Sequence, residues 1–543
     1  MIARRLAVII GAAALMLAAC ADGADEQAAP PADDQPVRGG ILVAAIDSDP
    51  GHFNPAITTS GATHTGSELI YNGLVELDDN LEPQPELAES WDVENDGALY
   101  RFHLRDGVKW HDGQPFSSAD IKFTFDELLP QHSRTKASVL ATLQSIDTPN
   151  EQTVEFRFKE PYAPLLLQLN VTEAPILPRH IYQGTDPRTN PANLKPVGTG
   201  PFTLKSYTPD SQIELAANEN YFKPDQPYLD GVVMRIIPER GNQMVALESG
   251  EVDWVFGVPG PDLSRLRDSG RYDFLTTGIN PGGSNCIMTV SFNLDRPMFG
   301  DVRVRRAIGQ ALDRQQFLER VQFGQGRVAE APISSGIPFA HAEGLQGMPT
   351  FDRAAAAQLL DEAGWRQDGD GTRVAGNVAG VPDGTALAFD FLVYPTFTSY
   401  GDLLRAQLAE VGIEVRLRQL EPPVFADTVF SNRDFDTNII SYCNGADPEI
   451  GVKRMYVSSS IGPVPFSNAA GYRNPDVDRL FDESRITVKG DARTPIYRQI
   501  QEQLVRDLPY LWIVETDSVR AFSRNCSGFS PSGHFAAAAF CRQ

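Results

Sequence analysis

AESWDVENDGALYRFHLRDGVKWHDGQPFSSADIKFT, residues 88–124, is the stretch whose reading decides the fold. Within it, LYRFHL (99–104) alternates apolar and polar side chains, the period of a strand with one face on a core. Asn95-Asp96-Gly97 before it and Asp112-Gly113 after it supply turns. SSADIKFTFDELL (117–129) then sets a Ser N-cap ahead of helically spaced apolar residues. Trp91, Tyr100, Phe102, Trp110 and Phe116 are expected to fill a small core, with His111-Asp112-Gly113 making a turn. A catalytic reading of His111 and Asp112 needs a nucleophile aimed at them, and none is evident.

The same mixture continues outward. ILVAAI (41–46) reads as a buried strand, and TVEFRF (153–158) as a half-exposed one. VVMRII (232–237) is a strand followed by a helix around Asn242–Ser249. VRVRRAIGQALDRQQFLERV (302–321) reads as one long amphipathic helix, and DRAAAAQLLDEAG (352–364) as another closed by Gly364. LAFDFLVY (387–394), a helix over Tyr400–Val411 and IEVRLRQL (413–420) form a strand–helix–strand unit. PIYRQIQEQLVRDL (495–508) is the last clear helix and YLWIVE (510–515) the last core strand. Strands alternating with helices in both halves argue α/β lobes with covered sheets. At 543 residues the chain exceeds what one core serves, so two or three lobes are expected.

With 71 acidic against 47 basic residues the net charge is −24. Such a surface repels phosphate backbones, which argues against nucleic acid as a partner. It favours solubility first, and cationic or zwitterionic ligands second. At the N-terminus, Arg4 and Arg5 precede an apolar run from Leu6 to Leu17, far short of the roughly 20 residues of a membrane span. The run ends in Leu17-Ala18-Ala19-Cys20, which resembles the lipobox of bacterial lipoprotein signal peptides. That resemblance implies residues 1–20 as a lipoprotein signal peptide with its lipobox, cleaved before Cys20, whose thiol is diacylated, leaving an exported protein attached to the membrane through its lipid alone. Residues 21–37 are acidic and Ala/Pro-rich, the composition of a disordered tether.

Four further cysteines remain, Cys286, Cys443, Cys526 and Cys541, and an exported compartment permits disulfides. The favoured pairing of three is Cys526–Cys541 with Cys286–Cys443, worth about 3 and ~5 kcal/mol by loop entropy. Free buried thiols are the alternative.

The 88–124 block resembles the most diagnostic segment of the family 5 (cluster C) extracellular solute-binding proteins, the oligopeptide, dipeptide and nickel binders of ABC importers. Further blocks agree in order: 54–78, PVGTGPFTLKSY (196–207), 221–254, FNLDRPMFGDVRVRRAIGQALDRQQF (292–317), AAQLLDEAGW (356–365) and YRNPDVDRLFDES (472–484). The resemblance covers about residues 40–520. It implies an α/β, two-lobed clamshell of the periplasmic-binding-protein type (type II) with an additional smaller subdomain. Lobe one would comprise 38–66, 199–284 and 508–543, the inserted subdomain 67–198, and lobe two 285–507, with hinge crossings near 285–293 and 505–512. It further implies a monomeric receptor, not an enzyme, without a cofactor, that captures a small ligand, a peptide foremost, and hands it to an importer's membrane subunits. A nickel complex, opine, oligosaccharide or other metabolite are alternative ligands, an exported hydrolase the alternative class, and a sensor or chaperone a third.

By the same resemblance, Asp447 in ISYCNGADPEIG (440–451) is expected to take a peptide's α-ammonium, against a simple role as a helix or loop cap. Tyr442 and Asn444 would line the pocket beside it. Thr59, Ser60, Gly61 and His64 lie in the first cleft loop, Tyr394, Phe397 and Tyr400 would form an aromatic wall, and Asn285 and Asn293 flank the crossover strand. The 394–402 segment has no arginine, unlike dipeptide-type relatives, which puts dipeptide specificity in doubt. Eight scattered histidines show no paired metal-ligand spacing, so no metal site is expected. Asp368 and Asp370 read as a surface hairpin rather than a calcium loop.

Overall fold

ILVAAI forms the first strand, β1 (Ile41–Ile46), in a computed structural model that describes residues 35–58, 60–279, 284–530 and 535–542. Leu42, Ala44 and Ala45 are fully buried. β1 runs parallel to β2 (Gly231–Ile236) on one side and to β3 (Trp254–Val255) on the other. Such central parallel strands are covered on both faces, which is why their sequences read as unbroken apolar runs. The antiparallel strands Gln212–Ala217 and Phe202–Thr208 extend the sheet beyond β2, and Val519–Ser523 and Tyr272–Thr276 extend it beyond β3.

The second sheet is built on β4 (Cys286–Phe292), whose seven residues are all buried. β5 (Ala388–Val393) and β6 (Glu414–Gln419) are the parallel pair of the expected strand–helix–strand unit, bridged by helix Thr398–Ala409. β5 also runs parallel to β7 (Thr437–Cys443), and β8 (Tyr510–Thr516) pairs antiparallel with β4 on its other edge. The 88–124 block supplies two strands of a separate antiparallel sheet, Ala88–Glu94 and Leu99–Leu104, completed by Thr153–Phe158 and Leu143–Asn150. Ser117 caps helix Ser118–Phe123 with Asp120 reaching back, as a capping box. Tyr100, Phe102, Trp110 and Phe116 are buried in the core beneath it.

The 302–321 segment departs from a single helix. Helix Val302–Ala311 ends where Leu312 turns extended, and Asp313 caps a fresh turn by accepting from the Gln316 N–H. The Asp313 N–H is satisfied by Gln407 at 2.8 Å, so a tertiary partner makes the break tolerable. Trp365–Gln367 and Arg373–Ala375 form the expected hairpin, and Arg373 turns inward to hold the Val411 and Trp365 carbonyls.

Lobe two has its own apolar cluster, running from Ile287 to Val514, while lobe one shares one with the inserted subdomain. β8, expected with lobe one, pairs instead in the sheet of β4. The chain thus leaves the first sheet after Thr276 and enters the second at Cys286, and it leaves the second after Thr516 and re-enters the first at Val519; these are the two crossings between the sheets. A strand as apolar as YLWIV, residues 510–514, fits either sheet equally, so its sequence carries no address. Asp517 ties the two crossings together: its Oδ1 accepts from the N–H groups of Gly278 (2.8 Å), Ile279 (3.3 Å) and Ser518 (2.9 Å). Both favoured disulfides are present as cross-strand pairs, Cys286–Cys443 between β4 and β7 and Cys526–Cys541 between two short terminal strands. The leader, Cys20 and the greater part of the tether lie outside the described residues.

Candidate functional site

In open α/β sheets ligands settle outside the carboxyl ends of the parallel strands, where loops diverge and unpaired backbone groups collect. Both sheets have a cavity at that edge. In lobe one, β1 ends at Ile46 and the chain passes through Asp47 and Ser48 before α1 (Gly61–Ser67). A cavity of about 370 Å³ opens there, lined by Asp47, Gly61, Thr65, Arg240 and Phe256 among others. Arg240 follows β2 and reaches Asp47 at 3.2 Å, so loops after two adjacent strands are joined by an exposed ion pair.

In lobe two, β7 ends at Cys443. Beyond it lies a cavity of about 570 Å³, lined by Cys443, Glu449, Lys453, Arg454 and the 459–464 loop, with Ala137 and Ser138 of the subdomain closing one side. The subdomain is fastened here by Arg485, which pairs with Glu160 at 2.7 Å and accepts from the Ala163 N–H at 2.9 Å. Burial raises the Glu449 carboxyl pKa, with Lys453 at 3.0 Å opposing the rise. The walls thus mix charged groups with Ile450, Val457, Ile461 and Val464. That combination suits a ligand with both polar and apolar parts.

Asp447, in the loop between the cavity-lining Cys443 and Glu449, is fully buried. Arg493, from α2 (Gly490–Asp507), grips it with both terminal nitrogens, at 2.7 and 3.0 Å. Arg493 also donates to the Tyr497 hydroxyl and the Ser484 carbonyl. Burial opposes the guanidinium's charge, and the Asp447 carboxylate outweighs it, so the Arg493 pKa is raised. Asp447 Oδ1 additionally accepts from the Glu449 N–H, the cap geometry. Its charge is matched from within lobe two.

Residues 82–462 match the profile of the Bacterial extracellular solute-binding proteins, family 5 Middle. The chain belongs to this family. Protein XP55 of Streptomyces lividans is 29% identical, with 90% of this chain and 86% of that protein covered. The oligopeptide-binding protein AppA of Bacillus subtilis is 27% identical over 95% of this chain and 94% of its own length. Among solved structures, NikA from Brucella suis in complex with Fe(III)-EDTA superposes with a TM-score of 0.79 at 24% identity, covering 92% of this chain and 99% of that one. This family 5 protein is therefore a non-enzymatic extracellular binding protein of the ABC-importer class with the family's α/β fold. Among the described residues no helix is long and apolar enough to cross a membrane.

Measured against this geometry, the expected site residues of the family 5 protein divide. Gly61 lines the lobe-one cavity, and a side chain there would meet open space. Ser60 caps α1 by accepting from the Thr63 N–H, so its hydroxyl serves the helix. His64 bonds the Thr58 carbonyl at 3.0 Å and sits edge-on to His132. Thr59 lies outside the described residues. Asn444 directly follows Cys443, which lines the lobe-two cavity, and its side-chain Oδ1 is buried without a hydrogen-bond partner among the described residues.

The other expected site residues are engaged within the protein. Asp447, expected to meet a ligand's ammonium, is paired with Arg493 inside the protein. Tyr442 is buried with its hydroxyl donated to the Ser467 carbonyl. Tyr400 stacks on Phe317 in the core and its hydroxyl accepts from Gln322, while the half-buried Tyr394 packs on Phe425 at 4.3 Å and the half-buried Phe397 on both tyrosines. Asn293 spends its amide on the Arg433 and Phe435 carbonyls. Asn285 is buried just before β4, with its backbone in the left-handed region at φ 48°.

Asp47, Arg240, Phe256 and Arg454 were missed. The one available signal was position: Asp47 directly follows the first parallel strand, and Arg240 and Phe256 follow its two neighbours.

Proposed function

We propose that this chain captures a peptide between the carboxyl edges of its two sheets and delivers it to an ABC importer, held to the membrane by lipid on Cys20. The observation that carries this reading is the pair of cavities at equivalent edges of two sheets joined by only two laced crossings. A ligand touching both edges is enclosed when the lobes close, which shifts the population towards the closed form and marks the receptor as loaded. Peptide is favoured as ligand because the oligopeptide-binding relative is similar over nearly the whole of both chains. The contacts we assign are Asp47, Gly61, Arg240 and Phe256 in lobe one, and Asn444, Glu449 and Arg454 in lobe two.

Calorimetry of refolded, ligand-free protein against tri- to nonapeptides tests the reading: micromolar or tighter binding without turnover is expected. Binding confined to a haem, nickel chelate or sugar panel would refute the peptide part, and peptide cleavage would refute capture. For the anchor, Cys20→Ser should abolish incorporation of labelled palmitate and release the protein from membranes; unchanged labelling would refute it.

A further inference from the structure

Among the described residues, several buried or half-buried arginines have their guanidinium groups engaged by carbonyls or a carboxylate. Arg305 holds the Phe299, Asp507 and Leu508 carbonyls, Arg314 those of Ala329, Pro349 and Trp512, and Arg493 holds Asp447. Arg520 is different. It is half-buried on β9 (Val519–Ser523), yet among the described residues its guanidinium donates no hydrogen bond and lies within ion-pair distance of no carboxylate. It rests on aromatic faces instead, with Cζ 5.2 Å from the Phe256 ring centre and 5.9 Å from that of Trp254. Burial holds its pKa below the ordinary arginine value, and Glu68 opposes this only from beyond ion-pair reach.

The topology places this cation at the ligand edge. β9 runs antiparallel to β3, with Ala521 opposite Val255 and Phe522 opposite Trp254, so Arg520 lies at the carboxyl end of β3. Phe256, the ring beneath it, also lines the lobe-one cavity. The crossing at 517–518 immediately precedes it. An unspent fork of five donors on an apolar shelf, in a protein of net charge −24, is costly unless something completes it.

We infer that Arg520 is a ligand-anchoring residue that takes a carboxylate of the bound solute in a bidentate grip beside Phe256. On the peptide reading above, on which this rests, that carboxylate is the peptide's C-terminus, which sets the ligand's direction with its terminus against lobe one. The planar guanidinium matches a carboxylate's two oxygens, and the rings below exclude water from the pair.

The test uses the refolded, ligand-free chain and one peptide set of three to nine residues, supplied as free acids and as C-terminal amides. In calorimetry the parent should hold acids about tenfold or more tighter than amides. Arg520→Gln should lose that preference while leaving amide affinity unchanged, and Arg520→Lys should keep part of it. Equal acid and amide affinities in the parent, or equal losses for both in Arg520→Gln, would overturn the inference. Should no peptide bind, the peptide reading falls, and a second arm decides Arg520 alone. Thermal unfolding is followed in sodium acetate, succinate and benzoate against chloride at equal ionic strength. A carboxylate-specific rise in Tm for the parent that Arg520→Gln lacks supports the anchor; equal behaviour of the two overturns it. Without ligand, Arg520→Gln should unfold at the parent's temperature or higher, since it removes an uncompensated cation, and a lower Tm would mark Arg520 as structural.

Discussion

Replacing Asp447 with Asn separates a structural carboxylate from a ligand contact. In the parent, Arg493 makes two charge-assisted hydrogen bonds to Asp447, and both side chains are almost wholly inaccessible to water. Asparagine is nearly isosteric but offers one acceptor and no charge, so Arg493 loses its counter-charge and one of the two bonds while keeping Tyr497 and the Ser484 carbonyl. Breaking a buried pair while leaving one charge behind costs about 3–5 kcal/mol. For a lobe of this size, at roughly 2–4 °C per kcal/mol, lobe-two unfolding should fall by about 10 °C. Calorimetric scanning at neutral pH reads this directly, and isothermal titration well below the new Tm should show ligand affinity within a few-fold of the parent. The double variant Asp447→Leu with Arg493→Met should recover much of the loss, since no orphan charge remains. A variant with unchanged Tm but tenfold or weaker binding would refute this account and return Asp447 to the ligand.

Other outcomes follow from the same structure. Desolvation lowers the His111 pKa to about 4, because its ring is enclosed between the Gly198 N–H and the Gly200 carbonyl. The unfolded chain, titrating near 6.5, therefore binds more protons between those values, so stability present above about pH 6.5 is lost as pH falls towards 4. Urea titrations from pH 7 to 4 should show that slope reduced in His111→Gln. Asp517→Ala removes the shared acceptor of both crossings; hydrogen exchange should rise at Gly278, Ile279 and Ser518 while lobe cores stay protected, and unchanged exchange there would count against a laced hinge. Cys526→Ser with Cys541→Ser should cost about 3 kcal/mol, for a cross-link closing a separation of 15 residues, measured by urea unfolding.

Much of the architecture was legible because it is written in local periodicity. ILVAAI, TVEFRF and LAFDFLVY became strands as read, and Ser117 and Asp352 cap the helices they precede. The cysteines paired as favoured because strand register brings each couple opposite. The site was far less legible. Asp447 and Asn444 stand three residues apart in one loop, and nothing local shows that an arginine 46 positions away neutralises one while the other keeps an unpartnered acceptor.

What the amino-acid sequence determined by itself is the set of elements, their α/β alternation and the family they build, since periods of 2 and 3.6 and cap residues act over a few neighbours. Only the tertiary structure decided which sheet YLWIVE joins, where the crossings fall and which charges are spent. Those depend on partners distant in sequence: Asp447 finds Arg493, Asp517 finds Gly278, and Arg520 finds aromatic rings in place of a counter-ion. Burial makes each of these pairings consequential, because away from water a charge must be answered by whatever the fold brings beside it.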